Sequence, residues 1–205
     1  TTVFPTSIGQ ASTWNPELIR QMGRVIAIEA SAQGAHIGYG PVLDLARDPR
    51  WSRVEETYGE DPYLNGVMGT ALVRGFQGET LNDGKSVIAT LKHFASYGWT
   101  EGGHNGGTAH IGERELEEAI FPPFREAVGA GALSVMSSYN EIDGNPCTGS
   151  RYLLTDILKD RWQFKGFVVS DLYAVGGLRE HGVAGNDYEA AIKACLLYTS
   201  PSPRD

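Results

Sequence analysis

The sequence has little cysteine, no excess of positive charge and no long apolar segment. Its 205 residues include two cysteines, Cys147 and Cys195, which are too few for a disulfide framework and lack metal-ligand spacing. Lysine and arginine total 17 against 25 aspartates and glutamates, a formal net charge of −8, which argues against a nucleic-acid binder. No apolar run reaches the roughly 18 residues that cross a bilayer, so we expect no membrane span.

Several short catalytic motifs are missing as well. The chain has no G-x-x-x-x-G-K-[ST] phosphate loop and no G-x-S-x-G serine nucleophile. Residues 38–41 read G-Y-G-P, and the proline after the second glycine is incompatible with a dinucleotide-binding fingerprint. The five histidines form neither H-x-H nor H-E-x-x-H, spacings expected of a metal-dependent barrel hydrolase. These absences argue against nucleotide loops and serine hydrolases, and they leave a metal-dependent hydrolase as a weaker alternative.

Short apolar runs alternate with helical patterns along the chain. With 41% hydrophobic residues, the chain can bury a sizeable core. Strand-length runs rich in Val and Ile lie at residues 36–43, 86–91, 133–136 and 166–169. Helical patterns lie at residues 15–33, 61–76, 113–128, 152–162 and 188–194. The alternation predicts right-handed βαβ units, a parallel sheet and therefore an α/β fold.

Local residues mark two helix starts and one interruption. Asn15 and Asp61 are capping residues, and each is followed by a proline, which is favoured at the first helical position. In the third helical pattern, Pro122 and Pro123 lack backbone donors, so we expect the helix to break or restart there.

Polar side chains follow each of the four predicted strands. The first strand leads to Asp44, the second to Lys92 and His93, the third to residues 137–140 (SSYN) and the fourth to residues 170–171 (SD). The carboxyl ends of parallel strands lie on one face of such a fold, where ligands bind. We therefore expect a shared polar pocket suited to a polyhydroxylated substrate, in which an ionised aspartate can act as the nucleophile of a double displacement.

Six motifs resemble those of the N-terminal barrel domain of glycoside hydrolase family 3. They are GPVLD at residues 40–44, DPRWSR at 48–53, YGEDP at 58–62, LKHF at 91–94, SVMSSYN at 134–140 and GFVVSD at 166–171. The resemblance covers about residues 1–194 and is closest in character to bacterial β-glucosidases and β-xylosidases. It implies a partial (β/α)8 TIM-type barrel that lacks its first strand and its end.

The resemblance also implies an activity and a set of site residues. Members of this type are retaining exo-β-glycosidases that release terminal β-D-glucosyl or β-D-xylosyl residues through a covalent glycosyl-aspartate, without a cofactor. Their nucleophile corresponds to Asp171, and their sugar-binding residues correspond to Arg53, Lys92, His93 and Tyr139. The implied substrate is an oligosaccharide or an aryl or alkyl β-glycoside, and the implied compartment is periplasmic or extracellular.

The sequence departs from the family pattern in ways that matter for the site. His104 stands in the loop at residues 101–105 where many relatives have arginine, so we predict it as a weaker sugar contact. Leu172 follows the nucleophile where an aromatic residue is common. The general acid/base of the nearest members comes from a C-terminal domain, which is absent from residues 1–205, and a further acidic sugar ligand is expected upstream of Thr1.

These departures lead to expectations about the chain as a whole. It begins Thr1-Thr2 rather than with Met, so we expect it to start within a longer protein. Residues 1–194 are then one incomplete barrel domain, and residues 195–205 (CLLYTSPSPRD) are a non-native tail from sequencing or assembly, with a disordered terminus as the alternative. A chain of this length should fold poorly by itself and hydrolyse glycosides very slowly or not at all.

Other interpretations remain open at this point. Because binding residues are present without the acid/base, the chain can be a carbohydrate-binding, catalytically silent module. Arg53 can pair with a neighbouring carboxylate, Glu55, Glu56 or Asp61, in a surface loop. His93 and Tyr139 can be core residues, and Asp171 can serve as a helix cap.

Overall fold

The computed structural model describes residues 2–198, which form a parallel sheet covered by helices. The strands are β1 (Ile37–Gly38), β2 (Ile88–Phe94), β3 (Thr108–Ala109), β4 (Ser134–Ser137), β5 (Glu141–Ile142), β6 (Asn145–Pro146) and β7 (Phe167–Ser170). The main sheet has the order β1-β2-β4-β7, and every neighbouring pair is parallel. The short strands β3, β5 and β6 form a second sheet. The predicted α/β fold with a parallel sheet is confirmed.

Helices connect these strands at nearly the predicted positions. The α-helices are α1 (Ser7–Ala11), α2 (Pro16–Ala32), α3 (Pro62–Gln77), α4 (Glu113–Glu115), α5 (Phe121–Gly129), α6 (Ala174–Glu180) and α7 (Asp187–Tyr198). Two further segments, Leu116–Ile120 and Tyr152–Arg161, have π-helical hydrogen bonding. Both predicted caps are present, since the side chains of Asn15 and Asp61 accept the amides of Leu18 and Leu64 at 3.1 and 2.6 Å.

The predicted first strand is interrupted. Residues 36–43 contain only the two residues of β1, followed by a single bridge between Val42 and Lys92. The chain still runs beside β2, because the carbonyls of Gly40 and Pro41 accept the amides of Thr90 and Lys92. Pro41 has no N–H to offer in return, so the regular ladder cannot continue through it.

The predicted helix at residues 113–128 restarts at its two prolines. A π-helical turn, Leu116–Ile120, leads directly into α5, whose second residue is Pro122. Backbone amides in the first turn of an α-helix have no hydrogen-bond partner within the helix, so a proline there costs no helical hydrogen bond. The helical pattern is therefore confirmed, with the change of hydrogen bonding placed where the sequence predicts an interruption.

The core lies between the main sheet and its helices. Ala89 and Leu91 of β2, Val135 of β4 and Phe124 of α5 are among its fully buried residues. Gly75 allows the helices α2 and α3 to lie close together, since a Cβ atom at this position would collide with the backbone of α2. Among residues 2–198, no helix combines the length and apolar character needed to span a membrane.

The last helix is longer than predicted. The pattern at residues 188–194 is part of α7, which continues to Tyr198, and the Tyr198 hydroxyl lies 2.9 Å from Ser137 Oγ. The first four residues of the predicted tail thus lie within this helix, and residues 199–205 lie outside the described residues. The non-native origin of residues 195–205 stays a prediction.

Candidate active site

The strand ends of the main sheet bring together the polar residues that the sequence singles out. Asp44 follows the segment beside β2, His93 lies in β2, Tyr139 follows β4, and Asp171 follows β7. Because the four strands are parallel, all of these positions lie at the same edge of the sheet.

His93 connects two aspartates at this edge. Its Nδ1 atom lies 2.7 Å from Asp44 Oδ2, and its backbone amide donates to the same oxygen at 3.1 Å. The other ring nitrogen, Nε2, lies 3.5 Å from Asp171 Oδ2. The His93 side chain is 1% exposed and that of Asp171 is 15% exposed, so the nucleophile candidate is accessible while its neighbour is not.

Two consecutive residues of β2, Lys92 and His93, both lie near Asp171. Adjacent residues of a regular strand point to opposite faces, but the pairing of β2 with β4 shifts register between Leu91 and Phe94. Burial, followed by the positive charge of Arg53, lowers the pKa of Lys92, while the nearby carboxylates oppose this shift. The Lys92 ammonium is therefore within electrostatic range of Asp171 and of a second cation.

Arg53 reaches the site from the loop after the first strand and is held by Glu56. The guanidinium forms a bidentate pair with the Glu56 carboxylate, with Nε–Oε1 and Nη2–Oε2 distances of 2.7 and 2.8 Å. It also lies over the Tyr97 ring, 5.3 Å from the centroid, and its hydrogen bonds with Glu56 raise its pKa. The pairing with Glu56 was one of the alternatives for Arg53, but the pair is partly buried beside Lys92 rather than free in solvent.

Tyr139 lies beside Asp171 and next to the Leu172 backbone. Its hydroxyl donates to the Leu172 carbonyl at 2.6 Å and is also close enough to interact with the Asp171 carboxylate. Burial, followed by the negative charge of Asp171, raises the pKa of Tyr139 to about 12. The phenol therefore stays protonated at neutral pH.

Asp171 is not a helix cap in this structure. The following helix, α6, begins at Ala174 with Tyr173 in the capping position, and Asp171 Oδ1 accepts the amide of Leu172 at 2.7 Å. Oδ2 is the oxygen that faces His93. The two residues after Asp171 are exposed, Leu172 by 70% and Tyr173 by 86%.

His104 does not lie in the group formed by the other predicted residues. Its side chain is exposed, and its backbone closes the loop through hydrogen bonds with Glu101 and Thr100. The next residue, Asn105, contacts the site instead, since its side-chain oxygen accepts the Trp51 indole N–H at 3.0 Å. The structure thus gives His104 a peripheral position, and its predicted sugar contact stays a prediction.

Three residues of the site were not predicted from the sequence as functional. Tyr97 packs its ring edge-on against His93, with centroids 4.8 Å apart, and Glu56 orients Arg53. Asp44 was noted as a strand-end residue without a role. The one sequence signal for Asp44 is its position immediately after an apolar strand. No short-range sequence pattern indicates Tyr97.

A cavity of about 560 Å³ lies beside Tyr139 and Leu172, two neighbours of Asp171. Its wall includes Tyr97, Asn105, Tyr139, Leu172 and Tyr173. This volume is within the range of about 300 to 1,000 Å³ that is typical of small-molecule sites. Aromatic faces with a few polar groups are suited to a sugar or to an apolar group attached to it.

The side chains around Asp171 can together bind a ligand with several hydroxyl groups. Arg53 and Lys92 supply fixed donors, His93 supplies a ring nitrogen, and Asp171 supplies an accessible carboxylate. Among residues 2–198, no group of three or more His, Cys, Asp and Glu side chains is arranged to hold a metal ion.

Comparisons with known proteins agree on one family. The model of the glycosyl hydrolase family 3 N-terminal domain matches residues 1–197. The chain is 42% identical over 195 residues to a periplasmic β-glucosidase of Salmonella typhimurium, covering 95% of this chain and 25% of that protein. It is 48% identical over 197 residues to a β-xylosidase of Formosa agariphila, covering 94% of this chain and 27% of that protein.

Solved structures give the same result at the level of the fold. The crystal structure of a β-glucosidase from Listeria innocua superposes with a TM-score of 0.92 and 40% identity, covering 95% of this chain and 27% of that one. Structures of the Listeria enzyme in complex with glucose, and of a mutant with laminaribiose, match equally well. The predicted partial barrel is confirmed, and the chain spans about a quarter of the length of these relatives. The chain belongs to glycosyl hydrolase family 3 and matches its N-terminal domain.

Proposed function

We propose that the chain is part of a retaining exo-β-glycosidase that releases terminal β-D-glucosyl or β-D-xylosyl residues. The observation that supports this most is the position of Asp171, whose partly exposed carboxylate lies 3.5 Å from His93 Nε2 and next to Leu172 of the cavity wall. The similarity to both a β-glucosidase and a β-xylosidase supports the substrate class without separating the two sugars.

The reaction we propose has two displacements at the anomeric carbon. In the first, an Asp171 oxygen donates an electron pair to that carbon, and the bond to the leaving oxygen breaks and takes its electrons with it. A general acid protonates the leaving oxygen, and we place this acid in a C-terminal domain of the same protein. In the second, water attacks the glycosyl-aspartate, the same group removes the proton of that water, and Asp171 is released as a carboxylate.

The cationic residues would bind the sugar and compensate charge. Arg53 uses two donors on Glu56 and retains others that can reach hydroxyl groups. Lys92 lies within electrostatic range of Asp171, so its charge supports the ionised carboxylate before attack. The transition state is oxocarbenium-like, so donors held rigidly around the ring are preferable to mobile ones.

Trapping of the covalent intermediate tests this proposal. The full-length protein is incubated with 2,4-dinitrophenyl 2-deoxy-2-fluoro-β-D-glucoside or the corresponding xyloside, whose leaving group needs no acid. We expect one fluoroglycosyl group on Asp171, identified by peptide mass mapping. Asp171→Asn should remain unlabelled, whereas the matched surface variant Asp160→Asn should label like the wild type.

The same experiment separates the alternative interpretations. Sugar binding without any labelled peptide would favour a carbohydrate-binding, catalytically silent module. Label on a different carboxylate would overturn the assignment of Asp171. Turnover that disappears on strong chelation and returns with added metal would favour a metal-dependent hydrolase instead.

A further inference from the structure

The buried carboxylate of Asp44 makes both of its hydrogen bonds with a single residue. Oδ2 accepts the backbone amide of His93 at 3.1 Å and contacts Nδ1 of the same ring at 2.7 Å. The Asp44 side chain is 0% exposed, and its Oδ1 atom has no hydrogen-bond partner among residues 2–198. An ionisable group buried in this way is costly unless its interactions repay the loss of water.

The geometry of this contact determines which nitrogen of His93 faces the reaction. A carboxylate oxygen can only accept, so the proton in the short contact belongs to Nδ1. The other nitrogen, Nε2, is then directed away from Asp44 and lies 3.5 Å from Asp171 Oδ2. Tyr97 packs edge-on against the imidazole and limits its rotation.

We propose that Asp44 is a positioning residue for the glycosidase reaction, acting through His93. Its carboxylate holds Nδ1 and thereby fixes the orientation of the imidazole, so that Nε2 is presented to Asp171 and to the bound sugar. Asp44 itself, with His93 between it and Asp171, does not touch the substrate. This inference rests on the proposed function, because the role of His93 is defined by that reaction.

Substitutions at Asp44 differ in what they remove. Alanine removes both acceptors and leaves the His93 amide and Nδ1–H unpaired in a buried place. Asparagine has nearly the same shape, and the backbone amide of His93 requires its oxygen at the position of Oδ2, so that the ring contact is retained. A positioning role therefore predicts a severe loss for alanine and a small one for asparagine.

The test measures kcat and KM of the full-length protein with a nitrophenyl β-glycoside. We expect Asp44→Ala to lower kcat roughly 100-fold and Asp44→Asn less than about tenfold, with KM changing less than kcat in both. Asn65→Ala is the matched control, because Asn65 is also fully buried and bonds Gly59 rather than the site. We expect this control to lower the melting temperature and to leave kcat within about twofold.

A double-mutant cycle distinguishes positioning from general destabilisation. If Asp44 acts through His93, Asp44→Ala should have almost no further effect in a His93→Ala background. A loss that persists in full there, or an Asp44→Asn variant as impaired as Asp44→Ala, overturns the inference. If Asp44→Ala does not fold, Asp44→Ser replaces it, since serine keeps a polar group in the buried site but has no oxygen at the position of Oδ2.

The activity of the wild-type protein distinguishes a failure of this inference from a failure of the proposed function. A folded wild-type protein that hydrolyses no β-glycoside overturns the proposed function, and this inference with it. An active wild type whose Asp44→Ala variant keeps full kcat overturns the role of Asp44 alone.

Discussion

The two sides of Asp171 differ in how firmly their residues are held. On one side, His93 is bonded to the buried Asp44 and Arg53 is bonded to Glu56. On the other side, Leu172 and Tyr173 are mostly exposed. The held side contains the charged groups that would recognise one sugar ring, and the exposed side adjoins the aromatic cavity.

This difference indicates how the tasks of such a site can be divided. Donors for one sugar ring must be in place before the reaction, because reorganising them during it would add to the barrier. Residues that contact a variable leaving group need no such fixed arrangement. The held side is therefore expected to control the rate, and the exposed side is expected to affect the choice of leaving group.

The largest effect is expected from Asp171 itself. Replacement by Gly removes the attacking oxygen, so kcat/KM for a dinitrophenyl β-glycoside should fall by more than roughly 1,000-fold. Added azide should restore turnover and give the α-glycosyl azide, because the anion attacks from the face that the carboxylate has left. The product is identified by NMR, and a β-azide product would contradict a nucleophilic role for Asp171.

A smaller loss is expected when the held side is loosened at Glu56. Glu56→Gln removes one charge from the bidentate pair, so Arg53 is oriented less firmly and KM should rise about tenfold with a smaller change in kcat. Glu55→Gln is the matched control, because Glu55 is the exposed neighbour in the same turn. Equal effects of the two substitutions would show that the Arg53 pair has no special role.

The Glu56 carboxylate also predicts a pH dependence of stability. Its hydrogen bonds with Arg53 lower its pKa below the ordinary value of 4.5, so its stabilising contribution is present above that pH. The contribution is lost as the pH falls through the lowered pKa of the folded state. The melting temperature of the wild type should exceed that of Glu56→Gln at pH 7, and the difference should shrink below about pH 4.5. A constant difference from pH 7 to pH 3 would be inconsistent with this account.

Substitution of His104, which lies apart from both sides of Asp171, should be tolerated. Because the side chain is exposed and outside the group around Asp171, His104→Ala should change kcat/KM less than about threefold. The measurement compares a nitrophenyl glycoside with a disaccharide. A loss above about tenfold with either substrate would show that the loop at residues 101–105 closes onto the sugar.

The last prediction concerns how readily the two cysteines of the folded chain react with an alkylating reagent, and no change in activity is expected from it. Cys147 is fully buried near the site, and burial raises the pKa of its thiol to about 12, while Cys195 is exposed. Iodoacetamide at pH 8 should therefore modify Cys195 and leave Cys147 intact until a denaturant is added. Equal modification of both in native buffer would show that the structure around Cys147 opens readily.

Local chemistry was enough to predict most of the secondary structure. The capping residues Asn15 and Asp61 begin helices as predicted, and the prolines at 122 and 123 coincide with a restart of the helix. The predicted strand at residues 36–43 was too regular, because the effect of Pro41 on its ladder depends on the neighbouring strand. The π-helical hydrogen bonding of Tyr152–Arg161 has no recognisable signal in its sequence.

The candidate site was predicted less completely than the fold. Their positions at strand ends predicted that Lys92, His93, Tyr139 and Asp171 lie at one edge of the sheet, and the structure places them there. Their hydrogen-bond partners could not be read from spacing, since Asp44 precedes His93 by 49 residues. Tyr139 illustrates the same limit, because only the fold shows that its hydroxyl reaches the Leu172 carbonyl.

The sequence by itself determined the alternation of strands and helices, the helix caps and the family motifs. These features depend on residues close together in the chain, so a short window contains the physics that decides them. Only the tertiary structure decided that Asp44 holds His93 toward Asp171, that Glu56 holds Arg53, and that His104 lies outside the group. Such contacts depend on burial, on strand register and on side-chain directions, which are properties of the packed sheet rather than of any one segment.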